Sequence, residues 1–217
     1  MTHTTVTAAE MKALEKAAND NGLLYIQMME NAGRAAYAEL KRRVPALRRL
    51  LIVAGKGNNG GDGFVMARVA AKEGVQVRVL LAEGEPKTAD AKTNLARLAE
   101  TAAEVVRDTE QATFGADAVV DALYGTGFHG ALRPGGAAAC ALMGRERERG
   151  AFVLALDLPS GVSADSGEVA EGAVQADATV TFDCTKPLHF AKVSKPFCGA
   201  LVCADIGIGK ALGEHET

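Results

Sequence analysis

The chain has 217 residues, 48% of them hydrophobic and 24% charged, which suffices for one domain with its own core and without disulfides or metal ions. Its formal net charge of −3 supplies no basic field, which argues against nucleic acid and anionic membranes as partners. The first residues lack an apolar signal core and no stretch is long and apolar enough to span a bilayer, so we expect a cytoplasmic protein.

The predicted elements begin with two helices. Thr7 and Glu10 have the spacing of a capping box that opens a helix over 8–20, and a second helix over 23–43 ends before Pro45. Apolar runs and helical patterns then alternate along the chain. The runs predict strands at 50–54, 75–82, 103–106, 116–123, 151–157, 176–182 and 200–208, and the patterns predict helices at 63–74, 87–101 and 133–150.

This alternation predicts an α/β fold. Continuous apolar strands joined by helices are typical of βαβ units, in which helices cover both faces of a parallel sheet. No internal repeat, low-complexity linker or change of composition divides the chain. We therefore expect a single domain over residues 1–217.

Three loops rich in glycine and polar residues follow predicted strands, at 55–63, 124–135 and 157–169. In open α/β sheets, ligands bind beyond the carboxyl ends of the strands. If the three strands are neighbours, we expect the three loops to meet in one cleft.

The first loop matches the pattern G-x-G-x-x-G over residues 55–60. It is not a P-loop, because Phe64 and Val65 stand where Lys and Ser or Thr are required. Glu83 is the only candidate for the acidic residue that binds a ribose in dinucleotide sites. Backbone amides at a helix start suit a phosphate, but a tight turn also explains the glycines, and Asp62 could simply cap the helix.

The second loop, at 124–135, is also rich in glycine. Gly125, Gly127 and Gly130 permit close approach of the backbone, and Thr126 adds a hydroxyl. His129 is either an acid or base or an ordinary surface side chain.

Acidic and hydroxyl side chains accompany the second and third loops. Asp121 lies in a predicted buried strand, where a carboxylate needs a cation or a hydrogen-bond donor. Asp157 ends a strand and could act as an acid or base, bind hydroxyls, or cap the Pro-Ser-Gly turn. Asn59, Asp121 and Ser160, with loop carbonyls, form an all-oxygen set of the kind that hard cations prefer.

These loops resemble the YjeF N-terminal domain family, the NAD(P)HX epimerases. The resemblance covers nearly the whole chain and is most specific in the Asn-Asn-Gly-Gly-Asp core and the Asp-x-Pro-Ser-Gly turn. The similar stretches are MENAGRAAY (29–37), GKGNNGGDGFVMAR (55–68), DALYGTGFHGALR (121–133), LALDLPSGVSADSGEV (154–169), ADATVTF (176–182) and the final DIGIG.

The resemblance implies a Rossmann-like three-layer α/β/α sandwich that forms a homodimer. It implies an isomerase that interconverts the R and S forms of hydrated NADH and NADPH at C6 of the nicotinamide ring, in cofactor repair. A dehydratase, on a separate chain or a following domain, would be its functional partner. Lys56 departs from the family, which usually has Pro there, and either adds charge beside a phosphate or is merely solvated.

The resemblance also implies residue roles. Asp157 is the candidate catalytic acid or base, and the matching potassium ligands, for one ion per subunit, are Asn59, Asp121 and Ser160. The implied substrate-binding residues are Asn58, Asn59, Gly60, Gly61, Asp62, Gly125, Thr126, Gly127, Phe128, His129, Gly130, Ala131 and Asp157. The stretch 184–199 keeps the family's Lys-Pro but otherwise diverges, which leaves its contacts open.

Two other functions remain as alternatives. One is a noncatalytic nucleotide-binding or protein-interaction scaffold of the same fold. The other is an NAD(P)-dependent oxidoreductase, which the uncertain ribose acid and the lack of a hydride-transfer site disfavour. Retention of the four residues Asn59, Asp121, Asp157 and Ser160 favours an enzyme over a scaffold.

Overall fold

The computed structural model describes residues 4–213 and contains one seven-stranded sheet. All of its strand pairs are parallel, in the order β3-β2-β1-β4-β5-β6-β7. The strands are β1 (Arg49–Ala54), β2 (Gln76–Leu81), β3 (Glu104–Val106), β4 (Ala118–Ala122), β5 (Phe152–Leu156), β6 (Ala178–Phe182) and β7 (Ala200–Ala204). The predicted α/β fold with a parallel sheet is confirmed.

Helices separate most of the strands. They are α1 (Ala8–Asp20), α2 (Tyr25–Arg43), α3 (Asn58–Lys72), α4 (Ala89–Ala96), α5 (Thr109–Ala112), α6 (Pro134–Glu148), α7 (Lys195–Cys198) and α8 (Ile208–Ala211). The predicted capping box is present at α1, where Thr7 N donates to Glu10 Oε2 over 2.7 Å and Glu10 N donates to Thr7 Oγ1 over 3.2 Å. Within residues 4–213, no helix is both long and apolar enough to cross a bilayer.

Side chains of the central strands alternate between two buried layers. Leu50 and Ile52 of β1 belong to a hydrophobic layer on one face of the sheet, to which α1, α2 and α3 also contribute side chains. Leu51 and Val53 point the other way and pack with α6. Because successive residues of a strand face opposite sides, a continuous apolar run fills both layers, and the result is the expected three-layer sandwich.

The first Gly-rich loop is shorter than the sequence predicts. Helix α3 begins at Asn58 rather than at residue 63, with Gly57 in extended conformation as its N-cap. Asp62 lies in the second turn of this helix, so the interpretation of Asp62 as the helix cap is wrong. At the other end of the sheet, β7 ends at Ala204, and α8 occupies part of the stretch predicted as its continuation.

Close packing explains two glycines of this segment, Gly55 and Gly60. A Cβ on Gly55 would lie 1.8 Å from the carbonyl oxygen of Leu123, the residue directly after the neighbouring strand β4. A Cβ on Gly60 would lie 2.2 Å from the carbonyl oxygen of Gly55. Of the two explanations open at the sequence level, the tight connection accounts for these glycines, since the backbone they approach belongs to the protein itself.

Candidate active site

The three predicted loops meet at one edge of the sheet. Strands β1, β4 and β5 are neighbours, so their carboxyl ends lie side by side. Asn59 Nδ2 donates to the carbonyl oxygen of Tyr124 over 3.0 Å, and Tyr124 N donates to Ser160 Oγ over 2.9 Å. Residues from all three loops are therefore hydrogen-bonded to one another, and the predicted cleft is present.

Asp121 lies beneath these loops and is fully buried. Its Oδ1 accepts hydrogen bonds from Ser160 Oγ at 2.6 Å and Leu123 N at 3.2 Å, and its Oδ2 accepts one from Ser160 N at 2.7 Å. Burial raises the pKa of Asp121 to about 6, against the opposing effect of these hydrogen bonds. Within residues 4–213 no Lys or Arg pairs with it, so its partners are donors rather than a cationic side chain.

The oxygen set predicted from the sequence is brought together. Ser160 bonds directly to Asp121, and Asn59 is joined to both through Tyr124. A group of three or more His, Cys, Asp or Glu suited to a metal ion is not found among residues 4–213. One buried carboxylate with amide, hydroxyl and carbonyl oxygens suits a singly charged hard cation better than a transition metal.

A narrow cavity of about 160 Å³ opens beside the cleft. We call it the narrow cavity. Helices α1 and α2 form one part of its wall, and Asp62, Asp157 and Lys186 contribute polar atoms to the rest.

Asp157 is held at this cavity by an unusual backbone conformation and an ion pair. Its φ of 64° lies in the left-handed region, where a residue other than glycine is strained and where functional residues cluster. Its Oδ1 accepts from Lys186 Nζ at 2.5 Å and Thr181 Oγ1 at 2.9 Å. Burial opposes ionisation, but the charge of Lys186 and these hydrogen bonds outweigh it and lower the pKa of Asp157.

Lys186 and His189 contact Asp157 but were not predicted as site residues from the sequence. Lys186 is only 1% exposed, and its Nζ also donates to Thr181 Oγ1 over 2.8 Å. His189 Nδ1 accepts from Lys186 N, which leaves Nε2 to donate to the carbonyl oxygen of Asp157. Burial lowers the pKa of His189 to about 4, so this histidine is neutral. The sequence feature that could have indicated Lys186 is the Lys-Pro pair soon after a buried strand, in the stretch 184–199.

Two more carboxyl groups line the narrow cavity. Glu15 comes from α1, where its helical context gives no sign of a functional role, and Asp62 comes from α3. Burial raises the pKa of both, and the charge of Asp157 raises both further. Within residues 4–213, neither carboxyl group has a hydrogen bond or an ion pair to another side chain.

A wide cavity of about 880 Å³ adjoins the narrow one. We call it the wide cavity. The two share four lining residues, which are Asn58, Asn59, Gly125 and Thr126. Basic side chains around the wide cavity are those of Lys56, Lys87 and Arg133.

Glu83, the candidate ribose ligand, also lines the wide cavity but is already engaged. It accepts a hydrogen bond from Tyr124 Oη at 2.8 Å and pairs with Arg133 Nη2 at 2.8 Å. These bonds occupy both carboxylate oxygens and leave the residue poorly placed to bind a ribose.

The predicted substrate residues divide among these spaces. Four of them lie where the cavities join, and Asp62 and Asp157 lie in the narrow cavity. Four other predicted substrate residues line only the wide cavity, and these are Gly127, Phe128, His129 and Ala131. Gly60 and Gly61 lie inside α3, and neither they nor Gly130 line either of the two cavities.

Comparison with known proteins assigns the family. The family model described as YjeF-related protein N-terminus matches residues 25–188, a range that contains all three loops and Lys186. The chain belongs to this family. The resemblance recognised in the sequence is confirmed.

Named relatives are of two lengths. The NAD(P)H-hydrate epimerase of Pirellula staleyi is 40% identical over 89% of this chain and 88% of the relative. That of Limosilactobacillus fermentum is 31% identical over 94% of this chain and 98% of the relative. The bifunctional NAD(P)H-hydrate repair enzyme Nnr of Coxiella burnetii is 34% identical over 93% of this chain but 41% of the relative. The chain therefore spans about two fifths of the length of such bifunctional relatives.

A solved structure has the same fold. The crystal structure of yeast ynu0 matches 85% of this chain and 82% of its own, with a TM-score of 0.73 and 21% sequence identity.

Proposed function

We propose that this YjeF-type domain is an epimerase of hydrated NADH and NADPH. The observation that carries the proposal is the carboxyl group of Asp157, paired with Lys186 in a narrow cavity that opens into a wide cavity lined by basic side chains. Similarity over nearly the full length to two proteins named NAD(P)H-hydrate epimerase supports it.

The sizes of the two cavities suit the two ends of such a substrate. A cavity of about 150 Å³ holds a benzene molecule, so the narrow cavity of about 160 Å³ has room for one six-membered ring. The wide cavity of about 880 Å³ has the volume typical of a site for a larger ligand. With the nicotinamide ring beside Asp157, the phosphates and the adenosine would lie near Lys56 and Lys87.

The chemistry required at C6 is modest. Protonation of the C6 hydroxyl lets the lone pair of the ring nitrogen expel water, and water then returns to the other face. Opening of the ring to an aldehyde is a second route. Both need an acid or base at C6, and the ion pair with Lys186, which favours the ionised carboxylate, supports Asp157 in the role of the base.

The potassium site is part of the proposal. Asn59, Asp121 and Ser160 would hold one ion per subunit, and the uncompensated charge of the buried Asp121 supports this assignment. A bound cation would offset that charge and connect the three loops.

The deciding experiment starts from one purified epimer of hydrated NADPH and follows the appearance of the other by chromatography. We expect the domain to accelerate interconversion, and the isosteric variant Asp157→Asn to lower the rate by about 10²–10⁴-fold, as is typical when a general acid or base is removed. With a noncatalytic scaffold, the epimers would interconvert no faster than without protein. An oxidoreductase would produce the oxidised nicotinamide instead. Either result would contradict the proposal.

We also propose how the chain works with other molecules. Exposed apolar side chains at the start of α2, Leu24 at 57% and Tyr25 at 38% exposure, support a homodimer, which light scattering of the purified protein would test. The length of the bifunctional relatives supports a dehydratase as functional partner, on a separate chain or a further domain. Cys140 and Cys198 are buried thiols, which supports a reducing, cytoplasmic location.

A further inference from the structure

Two carboxyl groups of the narrow cavity have opposite electrostatic surroundings. Asp157 has an ion pair with Lys186 and a hydrogen bond from Thr181. Asp62, which enters the cavity from α3, has neither among residues 4–213, and its electrostatic neighbours Asp157 and Glu15 are both acidic. The surroundings therefore stabilise one group as a carboxylate and the other as a neutral acid.

The other titratable groups around this cavity do not change that conclusion. The N-terminal helices contribute Glu15 and Tyr25 to the wall, and neither carries a positive charge. Lys186 lies against Asp157, and His189 is neutral because burial lowers its pKa to about 4. Burial together with the charges of Asp157 and Glu15 raises the pKa of Asp62 well above that of an ordinary aspartate.

We propose that Asp62 is the second acid–base residue of the epimerisation, paired with Asp157. This inference rests on the proposed function. On the route in which water leaves one face of C6 and adds to the other, the reaction needs a proton donor and a proton acceptor in the same cavity. Carboxyl groups whose surroundings separate their protonation states supply both.

The proposed step conserves atoms and charge. The Asp62 carboxyl gives its proton to the C6 hydroxyl, the C6–O bond breaks with its electron pair leaving on water, and the N1 lone pair forms an N1=C6 double bond. A second water adds to C6 from the other face, the double-bond pair returns to N1, and the proton released by that water goes to the Asp157 carboxylate. One water leaves and one is added, with no oxidant or reductant. The reverse direction exchanges the roles of Asp62 and Asp157.

The main test compares the wild type with Asp62→Asn, which keeps the shape of the side chain but cannot donate an acidic proton. We expect kcat for R/S interconversion to fall by about 10²–10⁴-fold, with KM changed by less than about threefold. In the wild type, kcat should fall as rising pH ionises Asp62, which gives the pH–rate profile an alkaline limb. The residual activity of the variant should lack this limb. The control is Asp20→Asn at an exposed position outside both cavities, which should match the wild type.

The outcomes separate this inference from the proposed function. If the wild type itself does not interconvert the epimers, the proposed function fails. If the wild type is active and Asp62→Asn keeps most of its kcat, or loses only substrate affinity, the role of Asp62 as an acid is overturned. A melting transition equal to or above that of the wild type would show that the variant is folded.

Two further measurements test the pair. Glu15→Gln removes a neighbouring negative charge but leaves the Asp62 proton, so we expect the alkaline limb to move to lower pH. An unmoved limb would contradict the proposed environment of Asp62.

In ¹⁸O-labelled water, the epimerised product should carry solvent oxygen at C6, and retention of the original oxygen would overturn the two-carboxyl route.

Discussion

At the scale of single residues, Asp157 depends on Lys186 for its ionised form. Lys186 is 1% exposed and 2.5 Å from Asp157 Oδ1, so its removal leaves a carboxylate without its cation in a buried site. Removing one partner of a buried ion pair costs about 3–5 kcal/mol.

We therefore predict that Lys186→Met lowers the free energy of unfolding by about 3–5 kcal/mol. It should also raise the apparent pKa of the acidic limb of the pH–rate profile, because the cation that lowers the pKa of Asp157 is gone. Denaturant unfolding and a pH–rate series measure these effects. The exposed Lys195→Met is the control, and an equal loss of stability in both variants would contradict the prediction.

The raised pKa of Asp62 makes the free energy of unfolding depend on pH. Its pKa is higher in the folded chain than in the unfolded chain, so the stability that it contributes is present at low pH. That contribution is lost as pH rises from the ordinary aspartate range through the folded-state pKa.

Asp62→Asn should consequently be more stable than the wild type at neutral pH. We expect a rise in melting temperature of about 2–4 °C for each kcal/mol gained, in a chain of this size. The difference should shrink toward pH 3, where the aspartate is protonated in both states. Calorimetry between pH 3 and pH 8 measures it, and a variant that is less stable at every pH would count against a neutral Asp62.

At the scale of elements, the turn between β1 and α3 depends on contact between backbones. Gly55 has no room for a Cβ, which would lie 1.8 Å from the carbonyl oxygen of Leu123, whereas Gly57 has no atom within 4 Å of its Cβ position. The clash at Gly55 involves the backbone of Leu123, the residue directly after β4, which cannot move without disturbing the end of that strand.

We predict that Gly55→Ala lowers the free energy of unfolding by about 1–3 kcal/mol, the usual cost of overpacking. Gly57→Ala is the matched control two residues away, and it should cost less than about 1 kcal/mol, since its backbone is extended. Urea unfolding of the two variants tests this. Equal effects would mean that the glycines are needed for a reason other than contact with β4.

At the scale of the whole molecule, the potassium proposal predicts linkage between ion and fold. A ligand that binds only the folded chain stabilises it by about 2.7 kcal/mol at one hundred times its dissociation constant. The melting temperature should therefore rise with potassium chloride but not with lithium or choline chloride at equal ionic strength. Ser160→Ala, which lacks the ligand hydroxyl, should lose the response, and identical melting in all three salts would remove potassium from the proposal.

Much of the architecture follows from short-range patterns. The apolar run 50–54 predicts β1 because a strand buried on both faces needs continuous apolar residues, and Thr7 with Glu10 predicts the start of α1 because a capping box involves only four neighbouring residues. The predicted start of α3 at residue 63 was wrong, because the residues before it have local turn preferences that the folded chain does not follow. Glycines and asparagines favour a turn locally, but Asn58 to Asp62 lie in a helix, where Gly61 packs against Met29 of α2.

The sequence by itself determined the fold class, the family and the positions of the three Gly-rich loops, because each depends on residue patterns within short stretches of chain. The order of the strands, which brings these loops together in one cleft, came from the tertiary structure. Only the tertiary structure decided that Lys186 pairs with Asp157 and that Glu15 and Asp62 share their cavity. It also showed that Glu83 is engaged by Tyr124 and Arg133. Protonation state depends on burial and on nearby charge, and both are fixed only when distant segments of the chain come together.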